Sequence, residues 1–367
     1  MSPAGRPPAP DPERVDDLEI RLLEAAESAR LAQAVRAVYG ETYPVRWTYD
    51  ADEVARRISD GLLISAIAET SDGELICHSG LTFIAPGDVV GHGGQALTLP
   101  AARGRHIYTA VKRYLIAWAN TLDLMGMYSE AVATHPYSQR ALLDLGGHET
   151  GFLLGFMPGS VEDGVSNVSA LRQSAALFFL RLRPGEERTV YPPARHREIV
   201  RDTIEVCHFR SHVGDARARA NLPAESNLHV TTMPGDNVAE MTVIVAGTDL
   251  TARVDAARAR LFSDGLDALY VDLPLDRPET AHLSESLEEL KLSYSGIFPN
   301  QMASGDVLRL QCLRDATALS HDVAVASPHG TALLEYVIAD MEASGQAVVR
   351  DRQPDVRGTG IPLVTRI

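Results

Sequence analysis

Hydrophobic and polar positions along the chain fall into two runs of alternating strand and helix patterns, separated by a polar stretch. In the first run, residues 18–23 alternate as a strand, and Ala26, Ala29, Leu31, Val35 and Val38 then recur at helical spacing until Tyr43-Pro44 breaks the pattern. Asp50, with Glu53 three residues on, predicts a capped second helix through Ile58. Residues 62–69 and 74–84 read as strands joined by the turn Ser71-Asp72-Gly73, and residues 91–99 as the next strand. There Pro100 removes a ladder donor, Arg103-Gly104-Arg105 turn the chain, and Ile107, Val111, Tyr114, Leu115 and Trp118 mark one apolar face of a long helix. Residues 127–133 and 152–156 are the last strands of this run, with a helix between them.

The second run repeats the order of elements without repeating the sequence. Strands are predicted at 175–182, 228–232, 239–245, 269–273, 294–298 and 307–313, and helices at 192–207, 251–262, 280–290 and 330–345. The expected organisation is a disordered tail over residues 1–17, a first domain over 18–160, a linker over 161–174, a second domain over 175–350, and a tail or edge strand over 351–367. The expected class is α/β, or α+β, with two mixed sheets flanked by helices.

Composition narrows the partners. At 367 residues, 45% of them hydrophobic, the chain suffices for two cores. Acidic residues number 49 against 34 basic, with no Lys/Arg-rich run, which argues against a nucleic-acid or anionic-membrane surface. No apolar run reaches spanning length, and the Pro-rich start lacks the apolar core of a signal peptide. Cys77, Cys207 and Cys312 fit neither a disulfide framework nor a zinc site, so a reducing, cytoplasmic setting and no metal are expected. Gly91-His92-Gly93-Gly94 precedes a strand and not a helix, so it is not a nucleotide loop.

The turn before the long helix is a candidate anion site. Arg103 and Arg105 bring cationic donors, and the free N–H groups of a helix's first turn, from His106, Ile107 and Tyr108, attract phosphate. This segment resembles motif A of the GNAT superfamily of N-acetyltransferases, in which [Gln/Arg]-x-x-Gly-x-[Gly/Ala] holds the coenzyme A pyrophosphate. Arg103 fits the first position, while His106 and Tyr108 stand where the pattern has small residues. The run HPYSQRALLDLG from His135 to Gly146 resembles the family's next helical segment, with Leu142 where a tyrosine acid often stands. Thr134-His135 through Ser138-Gln139 is similar to a pattern of two-part bacterial members.

The resemblance implies tandem GNAT-like halves, the second without a coenzyme A motif, since no arginine-glycine turn precedes the helix at Thr251. It implies an N-acyltransferase enzyme that takes an acyl group from acetyl-CoA to a small amine. Backbone groups of Leu97, Thr98 and Leu99 would polarise the thioester, Arg103, Gly104, Arg105, His106, Ile107, Tyr108 and Ser138 would hold the donor, and the second half would cover the acceptor side. Amide formation needs a base for the amine and a proton for the thiolate. Glu130, in an otherwise apolar strand, is the first candidate base, its pKa expected to be raised by burial; His135 is the second, and His78 and His92 rank lower. Tyr137 and Ser138 are candidate proton donors. Two alternatives stay open: a non-catalytic acyl-CoA or metabolite binder, and an acyltransferase fed by an acyl carrier protein. A homodimer is neither required nor excluded.

Overall fold

The computed structural model describes residues 10–162, 164–165, 168–216, 221–302, 305–320, 322–346 and 364–366. The chain begins with β1 (Glu13–Val15) and β2 (Leu18–Leu22), then α1 (Ser28–Tyr39), α2 (Ala51–Ser59), β3 (Leu63–Glu69), β4 (Leu75–Thr82) and β5 (Val90–Thr98). It continues with α3 (Ile107–Ala119), β6 (Gly126–Val132), α4 (Tyr137–Asp144), β7 (His148–Met157) and β8 (Gln173–Arg181). Then come β9 (Arg188–Val190), α5 (Arg197–Val206), β10 (Ser211–Val213), β11 (Asn227–Met233), β12 (Val238–Val245), α6 (Leu250–Ser263), β13 (Ala268–Pro274) and α7 (Thr280–Glu288). The last elements are β14 (Ser293–Met302), β15 (Gly305–Leu313), β16 (Asp322–Ala324), α8 (Pro328–Ala343) and β17 (Val364–Arg366).

Thirteen strands form one continuous sheet, in the order β1-β2-β3-β4-β5-β6-β8-β7-β14-β15-β13-β12-β11. The order β4-β5-β6-β8-β7 in the first half recurs as β11-β12-β13-β15-β14 in the second, and β5–β6 and β12–β13 are the parallel pairs. The two halves meet edge to edge where Gly151 of β7 pairs with Gly296 of β14. A Cβ on Gly151 would lie 2.4 Å from Ser295 O, so the seam requires a residue without a side chain there. The apolar side chains of α8, among them Leu333, Leu334 and Val337, are buried where the helix packs across β7 and β14. Each such burial contributes roughly 1.5–3 kcal/mol.

Two expected boundaries are corrected by this topology. Strand β8 was expected to open the second domain, yet it lies between β6 and β7, so the stretch 161–174 is a connection inside the first half. The reason is visible in β8 itself: eight of its nine residues are buried, which requires a partner strand on each edge and cover on each face. The tail also ends earlier than expected, because residues 13–15 pair with β2 through a turn at Asp16 (φ 55°). Residues 1–9 and 351–363 lie outside the described residues.

Alternation along the strands sorts the two faces of the first half. Leu63, Ile67 and Leu97 pack under α1 and α2 with Leu31, Val35 and Val54. Ile64, Ala66, Cys77, Leu81 and Met127 pack under α3 with Val111, Leu115 and Trp118. Asp50 caps α2 by accepting from the N–H groups of Asp52 and Glu53, a contribution of about 1 kcal/mol. The reciprocal bond of a capping box is replaced, since Glu53 pairs with Arg56 and Arg57.

Candidate active site

The parallel strands β5 and β6 pair at only three positions, Val90 with Gly126, Gly91 with Met127 and His92 with Tyr128, and then part. Beyond that point Ser129 Oγ of β6 donates to Gly93 O of β5 at 2.6 Å. Local sequence produces the opening. Gln95 sits in β5 at φ 48° and the register with β4 shifts between His78 and Gly80, a bulge that turns the strand. Gly93 leaves room for Lys112 of α3, whose Nζ would be 2.5 Å from a Cβ there. A cleft of about 2040 Å³ extends from the gap, enough for two substrates at once.

The turn leading into α3 forms one wall, with Arg103, Gly104, His106, Ile107 and Tyr108 lining the cleft. His106 adopts a left-handed conformation (φ 56°) in a place where glycine is usual, and its side chain is exposed and makes no capping bond. Among the described residues, the N–H groups of Gly104, Arg105 and His106 are not taken by any hydrogen bond. Arg103 donates to Thr98 O and Gly164 O. Arg105 does not line the cleft; it pairs with Asp17 at 2.8 Å on the exposed side of the turn. Leu99 is also outside the lining, whereas Leu97 and Thr98 are within it.

Glu130 and His92 face each other across the parted strands, on the α1/α2 side of the sheet, with Oε2 2.6 Å from Nε2. Tyr128 stacks on the imidazole, centroids 4.8 Å apart. The expectation for Glu130 is overturned here. Burial alone would raise its pKa, but the His92 charge and hydrogen bond outweigh it and hold the carboxyl below its ordinary value. For His92, burial opposes protonation, yet the Glu130 charge and hydrogen bond prevail and raise the imidazole above its usual value. Each partner therefore favours the charged form of the other. Sequence reasoning ranked His92 low because nothing in one dimension sets it beside Glu130; adjacency of two parallel strands does.

The other sequence candidates are also placed. His135, Tyr137 and Ser138 line the cleft at the start of α4. Tyr137 is exposed and tilts against the His135 ring at 5.0 Å, while Ser138 Oγ is buried with no partner. His78 is sealed inside the sheet between Gln95 O and Ser65 Oγ, and burial presses its pKa down to about 4, so it is a neutral structural residue. Leu142 is a buried core residue packed with β7 and β8.

The second half contributes to the same cleft. Its β11–β12 turn brings Met233, Pro234, Gly235 and Asp236, β12 brings Glu240, and the end of β14 brings Asn300 through Met302. The turn is held in place by Arg172, which is 7% exposed and donates to Asp236 O at 2.6 Å, to Gly155 O and Phe156 O of β7, and to Asp267. Gly235 lies so close to the α1–α2 loop that a Cβ would be 2.1 Å from Pro44 O.

No family model matches the chain and no curated protein matches it. Among solved structures it is similar to a ribosomal-protein-S5-alanine acetyltransferase from Vibrio fischeri, at 13% identity and a TM-score of 0.38, over 48% of this chain and 100% of that one. It is also similar to a spermidine N-acetyltransferase from Vibrio cholerae in complex with CoA and spermine, at 16% identity and a TM-score of 0.36, over 46% of this chain and 97% of that one. Both cover about half of this chain. By its own strand order, and by the parting of β5 from β6 ahead of α3, the first half has a GNAT-like fold.

Proposed function

We propose that the first half is an N-acyltransferase that moves an acyl group, most simply acetyl, from a coenzyme A thioester to a small amine, and that the second half is a non-catalytic cover for the acceptor side. The observation that carries this is the His92–Glu130 pair, set where β5 and β6 part and inside the cleft that runs back to the open N–H groups of the α3 turn. Coenzyme A supplies the activated acyl group. The turn at Arg103, Gly104 and His106 would hold its pyrophosphate, and the edge of β5 that β6 leaves unpaired beyond His92 would bond the extended arm.

The residues of the cleft then have distinct tasks. His92 takes the proton of the attacking amine, and Glu130 fixes the ring and stabilises the imidazolium. Ser138, whose buried hydroxyl has no acceptor, and Tyr137 beside it supply the proton for the departing thiolate. Calorimetric titration with acetyl-CoA and with free coenzyme A tests the donor site. Saturable binding that Arg103→Glu abolishes is expected; absence of binding by the parent protein overturns the proposal. With primary amines as acceptors, His92→Phe is expected to lower thiol release on the order of a hundredfold to ten-thousandfold while leaving donor affinity unchanged.

A further inference from the structure

Besides the Ser138 hydroxyl, the cleft holds two polar groups, one from each half, that have no partner among the described residues. The Asp236 carboxylate, on the half-buried β11–β12 turn, makes no hydrogen bond or ion pair among the described residues. Burial, and then the neighbouring charge of Glu130, push its pKa up to about 7 against the pull of Arg172. The second group is the Gln95 carboxamide. Gln95 is 7% exposed, lines the same cleft, and its Oε1 is buried and unbonded. A buried carbonyl oxygen left without a donor costs about 1–3 kcal/mol, so the Gln95 carboxamide is incomplete until an N–H donor reaches it, and the half-buried Asp236 carboxylate stands beside it without a counter-charge.

The surroundings define what that is. Gly80 and Gly94 pair across β4 and β5, and the lack of a Cβ at each makes room for a neighbouring side chain. The Gln95 oxygen lies over one glycine and the His92 ring over the other, 2.6 Å and 2.9 Å from where Cβ atoms would be. Tyr39 donates to Ala96 O at 2.7 Å and stacks on Tyr43 at 4.4 Å, and the Tyr43 hydroxyl feels the charges of Asp236 and Glu130. Glu240 adds a second carboxylate from the cover half, partly neutralised by Arg309. The groups set around Asp236 and Gln95 are therefore acidic or neutral, apart from His92, whose charge Glu130 balances; of the cleft's arginines, Arg46 donates to Glu41 O and Arg57 to Glu53.

We propose that the second half selects the acceptor: Asp236 binds the ammonium of a small cationic amine, Gln95 accepts from one of its N–H groups, and amines that carry a carboxylate are excluded. This rests on the acyltransferase reading for the identity of the amine as acceptor, but the cation site itself does not. The recognising turn belongs to the half that has no donor site of its own, so specificity and chemistry come from different halves of one sheet.

The test is calorimetric titration of the full chain with 1,4-diaminobutane and with β-alanine, run on the parent, Asp236→Asn and Gln95→Met. Saturable binding of the diamine is expected in the parent, weakened at least tenfold in Asp236→Asn and measurably in Gln95→Met, with no binding of β-alanine. Gln95→Met should also unfold at a higher denaturant concentration than the parent, because an unsatisfied oxygen is replaced by an apolar group of similar shape; a merely structural glutamine would give the opposite shift. Failure of the diamine to bind, equal binding by Asp236→Asn, or equal affinity for β-alanine overturns the proposal. Acetyl-CoA titrated into the same samples separates the two readings: diamine binding without acetyl-CoA binding keeps the cation site and removes the acyltransferase, and the reverse does the opposite.

Discussion

The two halves run the same chain path and differ most where each parallel strand pair should open. Counted from the first rung of each ladder, His92 of β5 corresponds to Glu240 of β12, and Glu130 of β6 to Asp272 of β13. The residue opposite Glu130 on the next strand is Leu177, while the residue opposite Asp272 is Arg309. Arg309 is fully buried, holds Asp272 with two bonds of 2.7 Å and reaches Glu240 at 2.5 Å, and the second ladder pairs at five positions where the first pairs at three. One cation thus fastens the second gap; its absence leaves Glu130 to find His92 across the first.

The turns before the helices differ in the same sense. Ahead of α6, Ser226 Oγ accepts from Gly247 N at 2.9 Å and donates to Asp249, and Thr248 N donates to Pro223 O. The donors that would attract an anion are therefore used internally. Ahead of α3, those of Gly104, Arg105 and His106 are open. The comparison teaches that one topology keeps or closes the gap between its parallel strands, and frees or uses the donors at its helix entry, according to a few polar residues at these two places.

The largest expected effect comes from copying the first half into the second. Arg309→Leu leaves Asp272 and Glu240 buried without their cation, and the expected loss is about 3–5 kcal/mol of stability in denaturant unfolding. Retention of full stability would show that Arg309 is not what closes the second gap.

Lys112 of the first half should respond in the opposite direction. It is 1% exposed, its ammonium has no partner among the described residues, and burial presses its pKa down to about 8. A lysine with a lowered folded pKa binds its proton better when unfolded, so it destabilises the protein below pH 8, and this cost fades as pH rises from 8 towards about 10.5. Lys112→Met is expected to stabilise the protein by about 3 kcal/mol at neutral pH. The gain should shrink as pH climbs through that window; a constant difference between pH 7 and 10 would contradict it.

Glu130→Gln should shift the pH profile without removing the imidazole. Groups acting on His92 are Glu130, Glu240 and the Lys112 ammonium, with burial opposing its charge. Loss of the Glu130 carboxylate removes the main reason for the raised value, so the acidic limb of kcat/KM, where His92 must lose its proton, is expected to move to lower pH. Lower turnover should accompany it, because the imidazolium is no longer stabilised. The smallest effect is expected from Arg105→Ala. Its pair with Asp17 is exposed and points away from the cleft, so donor affinity and stability should each change by less than about 1 kcal/mol, far below the effect of altering Arg103.

Much of the fold was legible in the chain. The hairpins, the helices and even the repeated order of elements followed from apolar spacing and turn residues, because strand and helix periods are local properties. The first-half turn at Arg103 and the carboxylate Glu130 were also legible, since charges in apolar surroundings stand out. The short strands β1, β9, β10 and β16 gave no such signal, being three residues each.

What the sequence determined by itself was the set of elements, the amphipathic faces of most helices and the cationic turn, all of which depend on neighbours a few residues away. Tertiary structure alone decided that β8 belongs between β6 and β7, that both halves share one sheet through Gly151 and Gly296, and that His92 meets Glu130 while Asp236 closes the same cleft. These depend on which strands become neighbours, and strand pairing is set by the burial of whole faces, so residues far apart in sequence acquire a joint charge state only once the sheet is assembled.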